Sequence, residues 1–299
     1  MLQCMTVEVR LIHGSSEDAS TLASDLVGRV ALVVTSPPYH NAISYISHVS
    51  DPAANYRTRE NLSYSHDYLP LLKRVWDESW LMLRPGGYVA VNVGTVLDAG
   101  YQYPLPQDIQ AQFEDGEWEF IRNIVWNKVT AGVKRAGSVI QHALPGYWYP
   151  NIMTEHIIVY RKPGPELPLN IDVPEDWWEC VWDLAPVPPR TIEHPAPFPE
   201  DLPHRLIRMV TQPGDYVMDP FNGAGATSKA AFDLHRPSIG FDISTTYLDL
   251  AERRLRTQSS VRAKQLHVVP IFNRDFKPGR SRGETRHGAG LNTRKRNST

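Results

Sequence analysis

The sequence predicts an α/β fold built on a mostly parallel β-sheet. One observation is the run VALVVT at 30–35, which is apolar throughout, as a strand buried on both faces of a parallel sheet requires. A second is the region 215–244, where a strand, a glycine-bearing turn, a helix and another strand follow one another. The 299 residues suffice for one large domain of this class.

The first half of the chain supplies the elements before and after VALVVT. Residues 6–14 alternate between apolar and polar types, which indicates a strand, and 16–27 fits one short helix. A polar stretch at 41–65, interpreted as a flexible active-site loop, precedes a helical pattern at 66–83. The turn RPGG then leads into a second buried strand at 84–94.

The middle of the chain is less regular. Strands are predicted at 118–128 and 156–162, with an irregular segment between them. Residues 163–199 are rich in proline and tryptophan without a clear period, which predicts a long surface connection. A helix at about 199–211 then precedes the glycine-bearing region.

Composition favours a cytoplasmic protein without a membrane anchor. Hydrophobic residues make up 41% of the chain, but no apolar run approaches the roughly 20 residues that span a bilayer, and no secretion signal is visible. Two cysteines, Cys4 and Cys180, are too few for a disulfide framework and fit a reducing compartment. The eleven histidines lack the spacing of metal ligands, so no metal site is expected.

Charge is concentrated at the end of the sequence. The whole chain carries −2, yet residues 274–299 hold eight basic and two acidic side chains, a net +6. A basic tail without apolar periodicity is predicted to be disordered, with two open roles: contact with phosphates or solubility.

The region 215–244 predicts a nucleoside site. Gly223 and Gly225 allow close approach of a ligand to the backbone, and Asp242 follows about 20 residues later, where an acid accepts hydrogen bonds from ribose. Asp219 precedes the turn, where it would repel a pyrophosphate but suits the cationic amino-acid end of a nucleoside cofactor. A second rigid loop is Ser36-Pro37-Pro38-Tyr39, since consecutive prolines end the strand 30–35 at its ligand-binding end.

TSPPYH, DPFNGAGAT and GFDISTTYLDLAERRL together resemble the amino-methyltransferases of DNA. Matches extend from about 14 to 255, and the tetrapeptide precedes the cofactor loop, as in the β class. The resemblance implies a Rossmann-like S-adenosylmethionine-dependent methyltransferase fold: a seven-stranded, mostly parallel sheet in circularly permuted motif order, with a small target-recognition insertion. The methyltransferase domain would span 1–273, the recognition loop 129–155 and the tail 274–299.

The resemblance also assigns roles to single residues. S-P-P-Y is typical of cytosine-N4 enzymes, whereas relatives with Asp in place of Ser36 are commonly adenine-N6 enzymes. Where the family often has Gly-Asp after its first strand, this chain has Gly14-Ser15-Ser16, with Glu17 or Asp18 as a substitute. The expected catalytic residues are Ser36, Pro37, Pro38 and Tyr39, and the expected cofactor-binding residues are Asp219, Pro220, Phe221, Gly223, Gly225, Thr227, Asp242, Phe198 and Pro199.

Double-stranded DNA and, in a restriction-modification system, a companion restriction endonuclease are the expected partners. Basic side chains in two polar segments predict DNA contacts by Arg57, Arg59, Lys128, Lys134 and Arg135. Trp177, Trp178 and Trp182 either pin the connection to the core or stack on bases, and the first interpretation is favoured.

Three other functions stay open. The same scaffold could methylate adenine N6. Enzymes that methylate protein glutamine or RNA bases often carry Asn in place of Ser36 and place the cofactor loop first, so motif order argues against them. A non-catalytic DNA-binding subunit of a modification complex is disfavoured by the intact tetrapeptide and glycines. A cytosine-C5 enzyme would need a Pro-Cys nucleophile, which the chain lacks.

Overall fold

The computed structural model describes residues 6–40, 63–98, 101–128, 152–188, 191–192, 198–258 and 266–273. Strands and helices follow one another through most of this range. In chain order they are β1 (Val7–His13), α1 (Ala19–Leu22), β2 (Val30–Thr35), α2 (Leu69–Met82), β3 (Leu83–Val93), β4 (Val96–Asp98), β5 (Tyr101–Tyr103), α3 (Leu105–Glu114), β6 (Glu119–Asn127), β7 (Thr154–Arg161), β8 (Val181–Asp183), α4 (Asp201–Val210), β9 (Tyr216–Asp219), α5 (Ala226–Asp233), β10 (Ser238–Asp242), α6 (Thr245–Gln258) and β11 (Leu266–Phe272).

Within these residues one sheet holds nine strands, in the order β11-β1-β10-β9-β2-β3-β7-β6-β8. Every neighbouring pair is parallel except those made by β7, which is antiparallel to both β3 and β6. The predicted mostly parallel α/β sheet is confirmed, but the predicted number of seven strands is two too low. The seven inner strands are flanked by β11 at one edge and by the three-residue β8 at the other.

The strand order reverses between β9 and β2. From β9 the chain passes through α5 to β10 on one side, whereas from β2 it passes through α2 to β3 on the other. The two central strands are parallel, with Val33 paired to Met218, so their carboxyl ends meet at one edge. Such a switch point opens a crevice beyond the strand ends, where α/β proteins bind ligands.

Helices cover both faces of the sheet. One core packs the apolar sides of α2 and α3 against the sheet, through residues such as Trp76 and Phe113. On the opposite face α4 and α5 pack through Leu202, Leu206 and Ala231. The helix α6 lies on that same side over β1. All six residues of β2 are buried, as its uninterrupted apolar sequence predicts.

Two predicted elements differ in the structure. Residues 16–27 form one turn of α-helix between two 3-10 turns, not one continuous helix. The connection 163–199 is not wholly irregular, because it contains a 3-10 turn at Glu175–Trp178 and the edge strand β8. Among the described residues no helix is both long and apolar enough to cross a bilayer. The same residues contain no group of three His, Cys, Asp or Glu side chains suited to hold a metal ion.

Candidate active site

The turn between β9 and α5 requires glycine at two positions. Gly223 and Gly225 have φ angles of +47° and +76°, in the left-handed region that side chains disfavour. At Gly225 an added Cβ would also stand 2.7 Å from the Cβ of Ala251 in α6. Gly225 caps the amino end of α5, so the free N–H groups of the helix begin at the turn.

Asn222 holds this turn in place, a role that the sequence alone does not reveal. Its backbone N–H donates to the Phe241 carbonyl at 2.9 Å, and its side-chain Oδ1 accepts from the Ser228 hydroxyl at 2.6 Å. The amide group fills the space left by Gly240, where a Cβ would lie 2.3 Å from Oδ1. The turn is therefore fixed to β10 and to α5 by one buried side chain.

Asp242, the last residue of β10, is bonded to the turn through its carboxylate. Oδ2 accepts from the Gly223 N–H at 2.9 Å and Oδ1 accepts from the Ser244 N–H at 2.8 Å. Burial raises the pKa of Asp242 to about 7, the nearby charge of Asp219 raises it further, and the backbone donors oppose the rise.

Asp219, the last residue of β9, is bonded to the neighbouring strand. Its Oδ1 accepts from the Thr35 hydroxyl at 2.7 Å and from the Phe221 N–H at 3.0 Å. Burial raises its pKa to about 6, while Thr35, Thr227 and the Phe221 amide oppose the rise. Oδ2 accepts no well-aligned hydrogen bond within the described part of the chain. The Thr227 hydroxyl is close enough to Asp219 to lower its pKa, but its well-aligned bond is to the Val34 carbonyl, at 3.3 Å.

The S-P-P-Y loop leaves the carboxyl end of β2. Pro37 and Pro38 are buried, whereas Ser36 and Tyr39 are partly exposed. The Pro38 carbonyl accepts a 2.5 Å hydrogen bond from the buried hydroxyl of Tyr68 and a 3.0 Å bond from the His40 N–H. The S-P-P-Y loop, already restricted by its two prolines, is thus also held by Tyr68, which directly precedes α2.

His40 ends this loop in a cage of tyrosines. It is buried and has a φ of +36°, which is unusual for a residue other than glycine. Its ring centroid lies 5.3 to 5.5 Å from those of Tyr64, Tyr68 and Tyr103, and Tyr64 donates to Asp108 at 2.6 Å. These contacts hold the strained backbone directly after Tyr39.

The predicted residues Phe198 and Pro199 adjoin an ion-pair network. Glu200 accepts from Lys229 of α5 at 2.8 Å and pairs with Arg254 of α6. Arg254 also donates to the carbonyl of Ala224, inside the glycine turn. Pro199 is buried and Phe198 packs on the core beneath α4. This network holds the segment against the glycine turn.

Both loops fall within one family match. A model for the N6/N4 methyltransferases, described as DNA methylase, matches residues 30–253 and so spans both the S-P-P-Y loop and the glycine turn. The chain belongs to the N6/N4 DNA methylase family. It is a DNA methyltransferase that uses S-adenosylmethionine.

Individual relatives agree with this family. The Type II methyltransferase M.MjaI of Methanocaldococcus jannaschii is 29% identical over 220 residues, which cover 68% of this chain and 70% of the relative. The DNA adenine methyltransferase YhdJ of Escherichia coli K12 is 35% identical over 116 residues, 38% of each chain. A proposed DNA modification methylase of Thermus thermophilus, complexed with S-adenosyl-L-methionine, superposes with a TM-score of 0.62 at 28% identity, covering 88% of this chain and 98% of that one.

The structure describes one of the predicted DNA-contacting side chains of this N6/N4 methyltransferase. That side chain is mostly buried and forms an ion pair. Lys128, which follows β6, forms an ion pair with Glu155 of β7, and its ammonium lies 4.9 Å from the ring centroid of Trp126. Its side chain is 15% exposed. The predicted contacts Arg57, Arg59, Lys134 and Arg135, most of the recognition loop and the tail lie outside the described residues.

The remaining sequence hypotheses have mixed outcomes. Trp182 is buried in the core, as the favoured interpretation predicts, but Trp178 is 49% exposed. Ser15 accepts from the Glu17 N–H at 3.3 Å, and the Glu17 carboxylate pairs with Arg74 of α2. Glu17, one proposed substitute for the aspartate that the family often has after its first strand, is therefore paired with a cation.

Proposed function

We propose that this methyltransferase transfers a methyl group to the N4 amino group of cytosine in double-stranded DNA. The observation that carries the proposal is the coupling of Ser36-Pro37-Pro38-Tyr39 to the glycine turn. Thr35, directly before Ser36, donates to Asp219, directly before the turn. The tetrapeptide itself is the type that resembles cytosine-N4 enzymes.

The chemistry of an exocyclic amino group explains such a loop. The lone pair is conjugated with the ring, so the nitrogen is a poor nucleophile until its hydrogens are held out of the ring plane. The Ser36 hydroxyl and the Pro37 carbonyl would accept these two hydrogens, and Tyr39 would stack on a base swung out of the duplex. Fixing the loop through Pro38 maintains the orientation of both acceptors.

The residues at the switch point fit S-adenosylmethionine, which supplies the methyl group when bound. Asp219 has a buried acceptor oxygen without a well-aligned donor among the described residues, which suits an ammonium group. Asp242 would accept from the ribose hydroxyls. The other proposed cofactor contacts are Pro220, Phe221, Gly223, Gly225 and Thr227 in the turn, with Phe198 and Pro199 beside it.

The direct test is identification of the product. Genomic DNA methylated in vitro is digested to nucleosides and analysed by mass spectrometry, with N4-methylcytosine as the expected product. Ser36→Ala should slow single-turnover transfer about 30- to 1000-fold, since a contact formed mainly in the transition state is lost, while binding of DNA and cofactor persists. Ser79→Ala is the matched control, because that hydroxyl donates within α2, to the Val75 carbonyl at 2.8 Å. A near wild-type rate for Ser36→Ala would contradict the mechanism.

Adenine N6 is the second candidate target, favoured by the partial similarity to the adenine enzyme YhdJ. In the same digest it would give N6-methyladenine. Absence of any methylated nucleoside would instead support a non-catalytic subunit. We also propose a methyltransferase domain over 1–273, target recognition by 129–155, a companion restriction endonuclease, and a basic tail that acts outside the fold.

A further inference from the structure

Three polar side chains on the strands beside β2 form a connected row. Asn92 of β3 donates through Nδ2 to Glu155 Oε2 of β7 at 2.6 Å. Glu155 Oε1 pairs with the ammonium of Lys128, at the end of β6. We refer to Asn92, Glu155 and Lys128 as the edge cluster.

The edge cluster shares an edge and a face of the sheet with Ser36. In the parallel pair β2–β3, Thr35 is opposite Val91, so Asn92 is level with Ser36. Because alternate residues of a strand share a face, Ser36 follows Val34 and Asn92 follows Ala90 on the side of the sheet covered by α4 and α5.

The rest of the cluster follows the same registers. Asn92 is opposite Ile157, two residues from Glu155, and Glu155 is opposite Trp126, two residues from Lys128. Ile157 and Trp126 belong to the same core beneath α4 and α5. The cluster therefore extends sideways from the S-P-P-Y loop along the carboxyl ends of the strands.

Structural stabilisation accounts poorly for this arrangement. Asn92 and Glu155 are 1% and 7% exposed, and a buried ion pair seldom stabilises a fold more than apolar side chains of the same size. In addition, the buried Oδ1 of Asn92 has no hydrogen-bond donor within the described residues. An unpaired buried acceptor is unfavourable and calls for a specific explanation.

We propose that the edge cluster binds the target base beside its amino group. Asn92 Oδ1, level with Ser36 on the neighbouring strand, shares one of the two amino hydrogens with the Ser36 hydroxyl in a three-centre hydrogen bond, and the Lys128 ammonium donates to the adjacent ring nitrogen, N3 in cytosine. Glu155 positions both side chains and balances the charge of the lysine.

This donor and acceptor pair separates amino bases from keto bases. Cytosine and adenine each present an amino donor next to a ring acceptor, which matches the Asn92 oxygen and the Lys128 ammonium. Thymine and guanine present a carbonyl next to a ring N–H, so both contacts would be reversed and would repel. The inference rests on the proposed function only in requiring an amino base as the target.

The test compares a natural cytosine duplex with one whose target is 3-deazacytosine, which has C–H in place of the N3 acceptor. Single-turnover rates at subsaturating DNA are measured for the wild-type protein and for the double variant Lys128→Met/Glu155→Gln, which keeps side-chain size and removes both charges. For the wild type we expect a single-turnover rate at least tenfold lower on the deaza duplex than on the cytosine duplex. For the double variant we expect this fold reduction, the deaza penalty, to be less than half as large. The intrinsic reactivity of the analogue is the same with every protein. Comparing the ratio of the cytosine rate to the deaza rate between two proteins therefore removes that contribution.

Lys162→Met is the matched control. Lys162 lies at the other end of β7, its ammonium 5.0 Å from the Trp80 ring centroid and bonded to the Trp80 and Leu83 carbonyls. This variant should keep the wild-type ratio. Calorimetric binding of S-adenosylmethionine shows that each variant is folded.

Two results would overturn the inference. One is a deaza penalty in the double variant equal to that of the wild type. The other is an undiminished deaza penalty in the single variant Lys128→Met, which keeps Glu155 and removes the proposed N3 donor alone, with folding checked by the same calorimetry. If the product proves to be N6-methyladenine, 1-deazaadenine replaces the analogue in the same design, so an error in the target base is distinguished from an error in the edge cluster.

Discussion

We expect Asp242, the proposed ribose ligand, to make the affinity for S-adenosylmethionine depend on pH near neutrality. Its carboxylate is bonded to the Gly223 and Ser244 N–H groups, and burial raises its pKa to about 7. Ribose hydroxyls are bound more strongly by an ionised carboxylate than by a protonated one. We therefore expect affinity to rise as pH increases through about 7 and then to level off.

The size of the effect follows from the ionised fraction. With a pKa of about 7, roughly a tenth of Asp242 is ionised at pH 6 and roughly nine tenths at pH 8. If only the ionised form binds ribose well, the dissociation constant should fall about tenfold over this range, or about 1.4 kcal/mol.

Stability of the free protein should change in the opposite direction. The folded pKa lies above the unfolded value of 3.8, so between about pH 4 and 7 the folded state holds a proton that the unfolded state has lost. The free energy of unfolding therefore falls as pH rises through that window. The upper bound is about 4 kcal/mol, and the effect should be smaller because Asp242 is partly exposed to solvent.

Isothermal calorimetry at pH 6, 7 and 8 is the assay. The ligand 5′-methylthioadenosine keeps the ribose but lacks the amino-acid end, so its pH dependence excludes Asp219 and the amino group of the cofactor. Asp242→Asn should bind weakly at every pH, because one carboxamide oxygen cannot accept from both N–H donors. Asp215→Asn is the control, a carboxylate paired with Arg84 at the opposite end of β9. A flat affinity for methylthioadenosine in the wild type would refute the ribose assignment.

Two further substitutions test how the loops are held. Tyr68→Phe removes the hydroxyl that donates to Pro38 and should slow single-turnover methylation about 3- to 10-fold with unchanged cofactor affinity; an unaltered rate would mean that the S-P-P-Y loop needs no support. Glu200→Gln leaves the buried Arg254 without its carboxylate and should lower stability by about 1–3 kcal/mol and weaken cofactor binding. The exposed pair variant Glu252→Gln should cost less than about 1 kcal/mol, and equal losses in the two variants would contradict the argument.

The parts of the fold that the sequence predicts well are those that local chemistry determines. The strand β2 is identifiable because every residue is apolar, and the turn before α5 because its backbone tolerates little except glycine. The helix α3 was missed although Leu105, Ile109 and Phe113 form a buried stripe at helical spacing. That pattern could have revealed it.

The edge strands were missed for a physical reason. In β11, Pro270 interrupts an apolar run, and proline normally argues against a strand. It is tolerated because β11 pairs only with β1 in the described sheet and its other side needs no donor. The strand β8 has three residues, too few to show any period.

Residues that support the site were harder to predict than residues in its loops. Asn222, Tyr68 and Glu155 act through partners far away in the chain, such as the pair Glu155 and Asn92, which are 63 residues apart. No spacing in the sequence indicates such a pair. They become identifiable only when strand order and register bring them to one edge.

The same reasoning explains why the order of the two loops along the chain does not matter. Thr35 and Asp219 are 184 residues apart, yet they are hydrogen-bonded because β2 and β9 are neighbours and parallel. The strand that follows β9 lies on one side of this pair and the strand that follows β2 lies on the other. A cut elsewhere in the chain would leave the strand pair intact. The adjacency of two carboxyl ends, and not their sequence order, is what the chemistry requires.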